Sequence, residues 1–191
     1  DFLCFGGADA VIVVCDASSL ERNLNLALQT MEITPRVVLC LNLMDEARAR
    51  GITPCLSLLK ERLGVPVVPT AARTRQGLDS LMDAVSQVVR GAPPQAMQVT
   101  YPAPIEKALS LLTPAVESAV PGSRLAPRWL ALRLLEGDAA LCGGIEQYVG
   151  VSLRSHPAIV RTLAQAWQDL AQSGYEAAAL RDAIVRAVVT A

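Results

Sequence analysis

The chain has 191 residues, is 52% hydrophobic, and balances 17 basic against 18 acidic residues for a formal charge of −1. That composition excludes a disordered chain, and the even spread of charge excludes a basic stripe for nucleic acid or anionic lipid. Five cysteines with no CxxC pair and one histidine, His156, supply no zinc or iron ligand set, and no stretch reaches the ~20 apolar residues of a membrane-spanning helix.

The N-terminal Asp1-Phe2-Leu3-Cys4 has neither an initiator methionine nor a signal-peptide pattern, so the chain reads as a piece of a longer polypeptide. Residues 10–15 (AVIVVC) form a continuous, β-branched apolar run, as expected of a parallel strand covered on both faces. After Asp16, Ser18 or Ser19 can cap a helix with Leu20, Leu24, Ala27, Leu28 and Met31 on one face. Residues 36–41 (RVVLCL) repeat the strand pattern, and Thr53 with Pro54 is expected to open a helix that ends near Gly64. Residues 65–68 form a third strand. A helix over residues 78–90 follows, with Leu78, Leu81, Met82, Val85, Val88 and Val89 as its stripe and Gly91 as its stop. Three strands alternating with three helices predict an α/β class with a parallel sheet.

Gly91-Ala92-Pro93-Pro94 breaks the pattern, which divides the chain into an α/β domain over 1–92 and a helical domain over 93–191. In the second, helices are expected over about 105–119, 127–135, 137–149, 156–172 and 175–189, with His156 an exposed helix-start residue.

Asn42-Leu43-Met44-Asp45 directly follows the second strand, at the carboxyl end where parallel α/β sheets bind ligands. Guanine presents N1–H and an exocyclic amine side by side, and one ionised carboxylate can accept both; adenine offers no such pair. Asp45 is therefore the candidate base-selecting residue, with the Asn42 amide reaching N7 or tying neighbouring loops together. The same residues also fit a turn at Asn42 and a helix cap at Asp45. What favours the guanine reading is a second loop, Thr70-Ala71-Ala72-Arg73, after the third strand, placed where a Ras-like fold turns backbone N–H groups toward guanine O6.

Four strings carry a closer resemblance. Residues 16–24 (DASSLERNL) are similar to the "DATNLERNL" segment of the ferrous-iron transport protein B family, and residues 41–46 (LNLMDE) to its "LNMMDE". Residues 63–70 match "LGVPVVPT", and residues 128–138 (RWLALRLLEGD) resemble the "RWxALKLLEGD" of that family's helical domain. The resemblance implies a partial Ras-like GTPase domain followed by a small all-α domain. It implies guanine binding by Asn42 and Asp45, with Leu43 where many GTPases carry a lysine and Ala71, Ala72 and Arg73 as the second base loop. Ala71 replaces the more usual serine, removing a hydroxyl that helps hold that loop.

No Gly-x-x-x-x-Gly-Lys-Ser/Thr loop and no Asp-x-x-Gly motif occur in these residues. The expectation is a chain that reads guanine but has no catalytic residue, no metal ligand and no GTP turnover of its own. Mg²⁺ would bind only with motifs lying N-terminal to residue 1, where Asp1-Phe2-Leu3 resembles the family's sequence just after its switch region. The parent protein would bind GTP and GDP, hydrolyse GTP, and couple that state to a covalently linked membrane Fe²⁺ pathway at the cytoplasmic face of a bacterial inner membrane. The strand at 11–14 would lack its phosphate-loop partner and leave an apolar edge prone to self-association. Two readings compete: a non-catalytic interaction module whose helical half docks a partner, and an unrelated α/β enzyme with Asp16 or Asp45 at its centre.

Overall fold

The computed structural model describes residues 2–190, so Asp1 and its resemblance lie outside the described residues. The chain divides into two compact units. One is residues 8–98; the other is residues 99–191 together with the described residues up to Gly7, which hold a short helix, α1 (Phe2–Phe5).

The first unit contains β1 (Val11–Asp16), α2 (Leu20–Ile33), β2 (Val37–Asn42), α3 (Met44–Ala49), α4 (Leu56–Leu63), β3 (Val67–Pro69) and α5 (Leu78–Arg90). Its three strands are parallel in the order β1-β2-β3, registered from Val11↔Val37 to Asp16↔Asn42 and from Leu39↔Val67 to Leu41↔Pro69. The middle strand is covered on both faces, so Val37 through Leu41 are all buried and the sequence there is a continuous apolar run rather than an alternation. Val38, Cys40 and Val68 face Leu81, Ala84 and Val88 of α5, and α2 packs against β1. Burial of a Leu-sized side chain such as Leu39 or Leu41 contributes about 1.5–3 kcal/mol, which anchors the strand whose end carries Asn42. The Arg36 side chain donates to the carbonyls of Val88, Val89 and Gly91, satisfying the C-terminal acceptors of α5.

The sequence reading departs from the structure in five places. Strand β1, expected to be covered on both faces, buries only Val13 and Cys15, and leaves Ile12 and Val14 exposed on the other face. The helix expected from Pro54 begins at Leu56, because Cys55 keeps an extended backbone as its N-cap. The buried stripe of α5 is Leu81, Ala84 and Val88; Met82 and Val89 point outward, since a helix against one sheet face buries a narrow arc that the small Ala84 brings close. Residues 93–98 pack with the α/β unit: Met97 N–H donates to Leu63 O at 2.8 Å, and a Cβ on Gly64 would meet Gln95 O at 1.9 Å. Finally, His156 caps a helix but is half-buried, with Nδ1 enclosed and unpaired.

The second unit is built from α6 (Ala103–Ala119), α7 (Pro127–Glu136), α8 (Ala139–Val149), α9 (Pro157–Gln172) and α10 (Ala177–Thr190). Helix α6 buries Ile105, Leu109, Leu112 and Val116, a seam of i, i+4, i+7 spacing, and packs against α7 and α9. The Asp138 carboxylate caps α8 by accepting from the N–H groups of Ala140 and Leu141, both at 3.0 Å. No helix among the described residues is long and apolar enough to cross a membrane.

Candidate functional site

Asn42 ends β2, and the chain turns at once: Leu43 takes a left-handed backbone (φ 61) before α3 begins. A branched side chain in that region costs about 1–2 kcal/mol, and the turn sets Asp45 in the first turn of α3, facing the neighbouring loop. That loop leaves β3 at Thr70, which is tied to β2 by Thr70 N–H to Leu41 O (2.8 Å) and Met44 N–H to Thr70 O (3.2 Å). Its far end closes through an antiparallel bridge between Ala71 and Gln76. Gly77 completes the return at φ 80, where a Cβ would meet Pro69 O at 2.3 Å, so the position accepts no side chain.

Asn42 joins the two loops. Its Oδ1 accepts from Thr70 Oγ1 and from Ala72 N–H, each at 3.1 Å. With Oδ1 so occupied, the amide offers its Nδ2 donors to a further partner. Thr70 is 2% exposed, and its hydroxyl also meets Cys40 Sγ at 3.2 Å. The sequence reading gave Thr70 no anchoring role; only its place between a strand and a loop signals one.

Arg73 Nη2 reaches Asp45 Oδ2 at 3.1 Å. That hydrogen bond holds the Asp45 carboxyl below the usual carboxylate range. The Ala71 N–H donates to Gln76 O and the Ala72 N–H to Asn42 Oδ1, so Ala71 and Ala72 frame the loop, and among its three amides Arg73 N–H has no such internal acceptor. The structure thus brings Asn42, Leu43, Asp45, Ala71, Ala72 and Arg73 to one edge of the sheet. Asp16 is opposite Asn42 in register, but its Oδ1 accepts from the Ser18 N–H (2.7 Å) and hydroxyl (2.8 Å), which pull its pKa down and make it a turn-closing group.

The donor and acceptor set suits a purine carrying N1–H and a 2-amino group: an ionised carboxylate, an amide N–H₂ and a free backbone N–H within two facing loops.

Comparison with known proteins agrees with the fold. Residues 1–85 match the family model described as ferrous iron transport protein B, and residues 101–189 the one described as the FeoB cytosolic helical domain. The chain is 39% identical over 134 residues to the Fe(2+) transport protein A/Fe(2+) transporter FeoB fusion protein of Porphyromonas gingivalis, covering 68% of this chain and 16% of that protein. It is 34% identical over 155 residues to the Fe(2+) transporter FeoB of Salmonella typhimurium, covering 80% of this chain and 20% of that protein. It therefore spans a fifth or less of these relatives. A mutant NFeoB from S. thermophilus, crystallised with GDP and AlF4⁻, superposes with a TM-score of 0.74 at 25% identity, over 100% of this chain and 69% of that one. The chain belongs to the ferrous iron transport protein B family, as part of its Ras-like G domain followed by its helical domain.

Proposed function

We propose that this chain is the guanine-reading portion of a GTPase that regulates or drives ferrous-iron uptake. The observation carrying the reading is the joined pair of loops: Asn42 Oδ1 held by Thr70 and Ala72, and an ionised Asp45 beside it. Membership of a family whose relatives are named Fe(2+) transporters, and likeness to a structure crystallised with GDP, support it.

In this reading both Asp45 oxygens accept from guanine N1–H and the 2-amino group, Asn42 Nδ2 donates to N7, and Arg73 N–H meets O6. The Leu43 side chain lies against the base, supplying apolar contact where a lysine stem serves elsewhere. The nucleotide is GTP or GDP. Triphosphate, Mg²⁺ and the hydrolytic water are held by motifs these residues do not contain, so the 191-residue chain alone turns over no GTP. The helical unit passes the nucleotide state to a covalently linked membrane transport domain, placing the segment at the cytoplasmic face of a bacterial inner membrane.

The test compares the full polypeptide with the 191-residue chain in a phosphate-release assay. The reading predicts Mg²⁺-dependent release from GTP but not ATP by the former, and none by the latter. Turnover by the short chain, or equal turnover of ATP, contradicts it.

A further inference from the structure

We propose that Arg73 is a built-in competitor of guanine: its guanidinium occupies on Asp45 an oxygen that the base needs, and must leave before the base can be read. The inference rests on the guanine-reading assignment of Asp45. In guanine, C2 with N1, N2 and N3 is itself a guanidine unit, so the arginine head and the base edge present similar planar N–H donors to a carboxylate. The contact lies on Oδ2 at 3.1 Å, and a bidentate base contact uses both oxygens.

The two partners differ in freedom. The Asp45 side chain is 29% exposed and sits in the first turn of α3, whereas that of Arg73 is 81% exposed. The loop backbone is pinned on both sides of Arg73 by Ala72 N–H to Asn42 Oδ1 and by Thr74 N–H to Ala71 O. Release of Asp45 therefore needs rotation of one long side chain, with no rearrangement of the loop. Exposed ion pairs are weak, so the paired form lowers the binding-competent fraction, and with it GDP affinity, by about two- to fivefold. Because the pair forms within the protein, its cost falls on association rather than dissociation. It is also screened by salt, with a Debye length of about 3 Å at 1 M.

The experiment is stopped-flow binding of fluorescently labelled GDP to the full polypeptide and to its Arg73→Gln and Asp45→Asn variants, at low salt and at about 1 M salt. The proposal expects Arg73→Gln to bind about two- to fivefold tighter at low salt through faster association, with the difference closing at high salt. Unchanged or weaker binding by Arg73→Gln overturns it. A second cycle uses xanthosine diphosphate, whose C2 carbonyl suits the amide of Asp45→Asn: adding Arg73→Gln to that variant is expected to leave affinity unchanged, and an equal gain there overturns action through Asp45. If the wild-type polypeptide fails to bind GDP, both the proposal and the guanine reading fall. If it binds, loses GDP in Asp45→Asn and ignores Arg73→Gln, the competitor falls and the reading stands.

Discussion

Thr70 keeps a hydroxyl at 2% exposure because that hydroxyl donates to Asn42 Oδ1 and meets Cys40 Sγ, joining the loop after β3 to the end of the central strand. Thr70→Val preserves the shape and removes the donor, leaving Asn42 Oδ1 with one partner. GDP affinity is expected to fall about tenfold, corresponding to roughly 1–1.5 kcal/mol, and Thr70→Ser to retain most of it; titration calorimetry reads both. A Thr70→Val protein that binds like the wild type would remove Thr70 from the site. Asn42 and Asp45 were legible in the sequence because a continuous apolar strand points at them. Thr70 and the left-handed Leu43 were not, because their roles arise from the apposition of two strand ends and a positive φ, which no local pattern announces.

Among the elements, β1 and β2 were legible because each is an uninterrupted apolar run, and Gly64 marked a helix end by its left-handed backbone, whereas Gly91 ends α5 with an extended one. Helix α5 shows the limit. Apolar periodicity ranked Met82 and Val89 with the core, but small Ala84 occupies the contact and the larger residues flank it. In the helical unit an ion pair does what caps and apolar stripes cannot, fixing the segment before α6. Arg128 clasps Glu106 with Nη1 to Oε2 at 2.9 Å and Nη2 to Oε1 at 2.8 Å, and Glu106 Oε1 also accepts the Tyr101 N–H. Burial alone would raise the Glu106 pKa, but the Arg128 hydrogen bonds and the Tyr101 N–H outweigh it and the net shift is downward. A depressed folded pKa means the stabilisation is fully present above the ordinary value of 4.5 and is lost as pH falls through the folded one. Both tryptophans lie in this unit, so their fluorescence follows its unfolding. Glu106→Gln is expected to cost about 1–2 kcal/mol at neutral pH and to flatten the loss of stability below that value. Glu146 and Asp169, also depressed by their cationic partners, leave a residual slope. An unaltered acid profile would show that the Glu106 pair carries none of it.

For the whole molecule, the sheet order sets where the proposed base site lies relative to the strand edges. The loops proposed to read the base follow β2 and β3, while β1 forms an outer edge among the described strands, with Ile12 and Val14 39% and 57% exposed. In a Ras-like sheet that edge faces the phosphate-loop strand. The 191-residue chain is therefore expected to self-associate through β1, and Val14→Lys to reduce the association; sedimentation velocity measures both, and a monodisperse wild-type monomer at high concentration contradicts the expectation. The α/β class, the five long helices of the second unit and the family were legible, since strand–helix alternation and long specific strings survive without coordinates. The extent of the units was not, because residues 93–98 are held by backbone contacts at Leu63 and Gly64 that composition does not encode. The central claim is that Asp45 reads guanine. It is tested most directly by calorimetry of GDP binding to the full polypeptide beside its Asp45→Ala variant: the account predicts tight binding abolished in the variant, whereas no binding, or binding indifferent to Asp45, contradicts it and favours an interaction module.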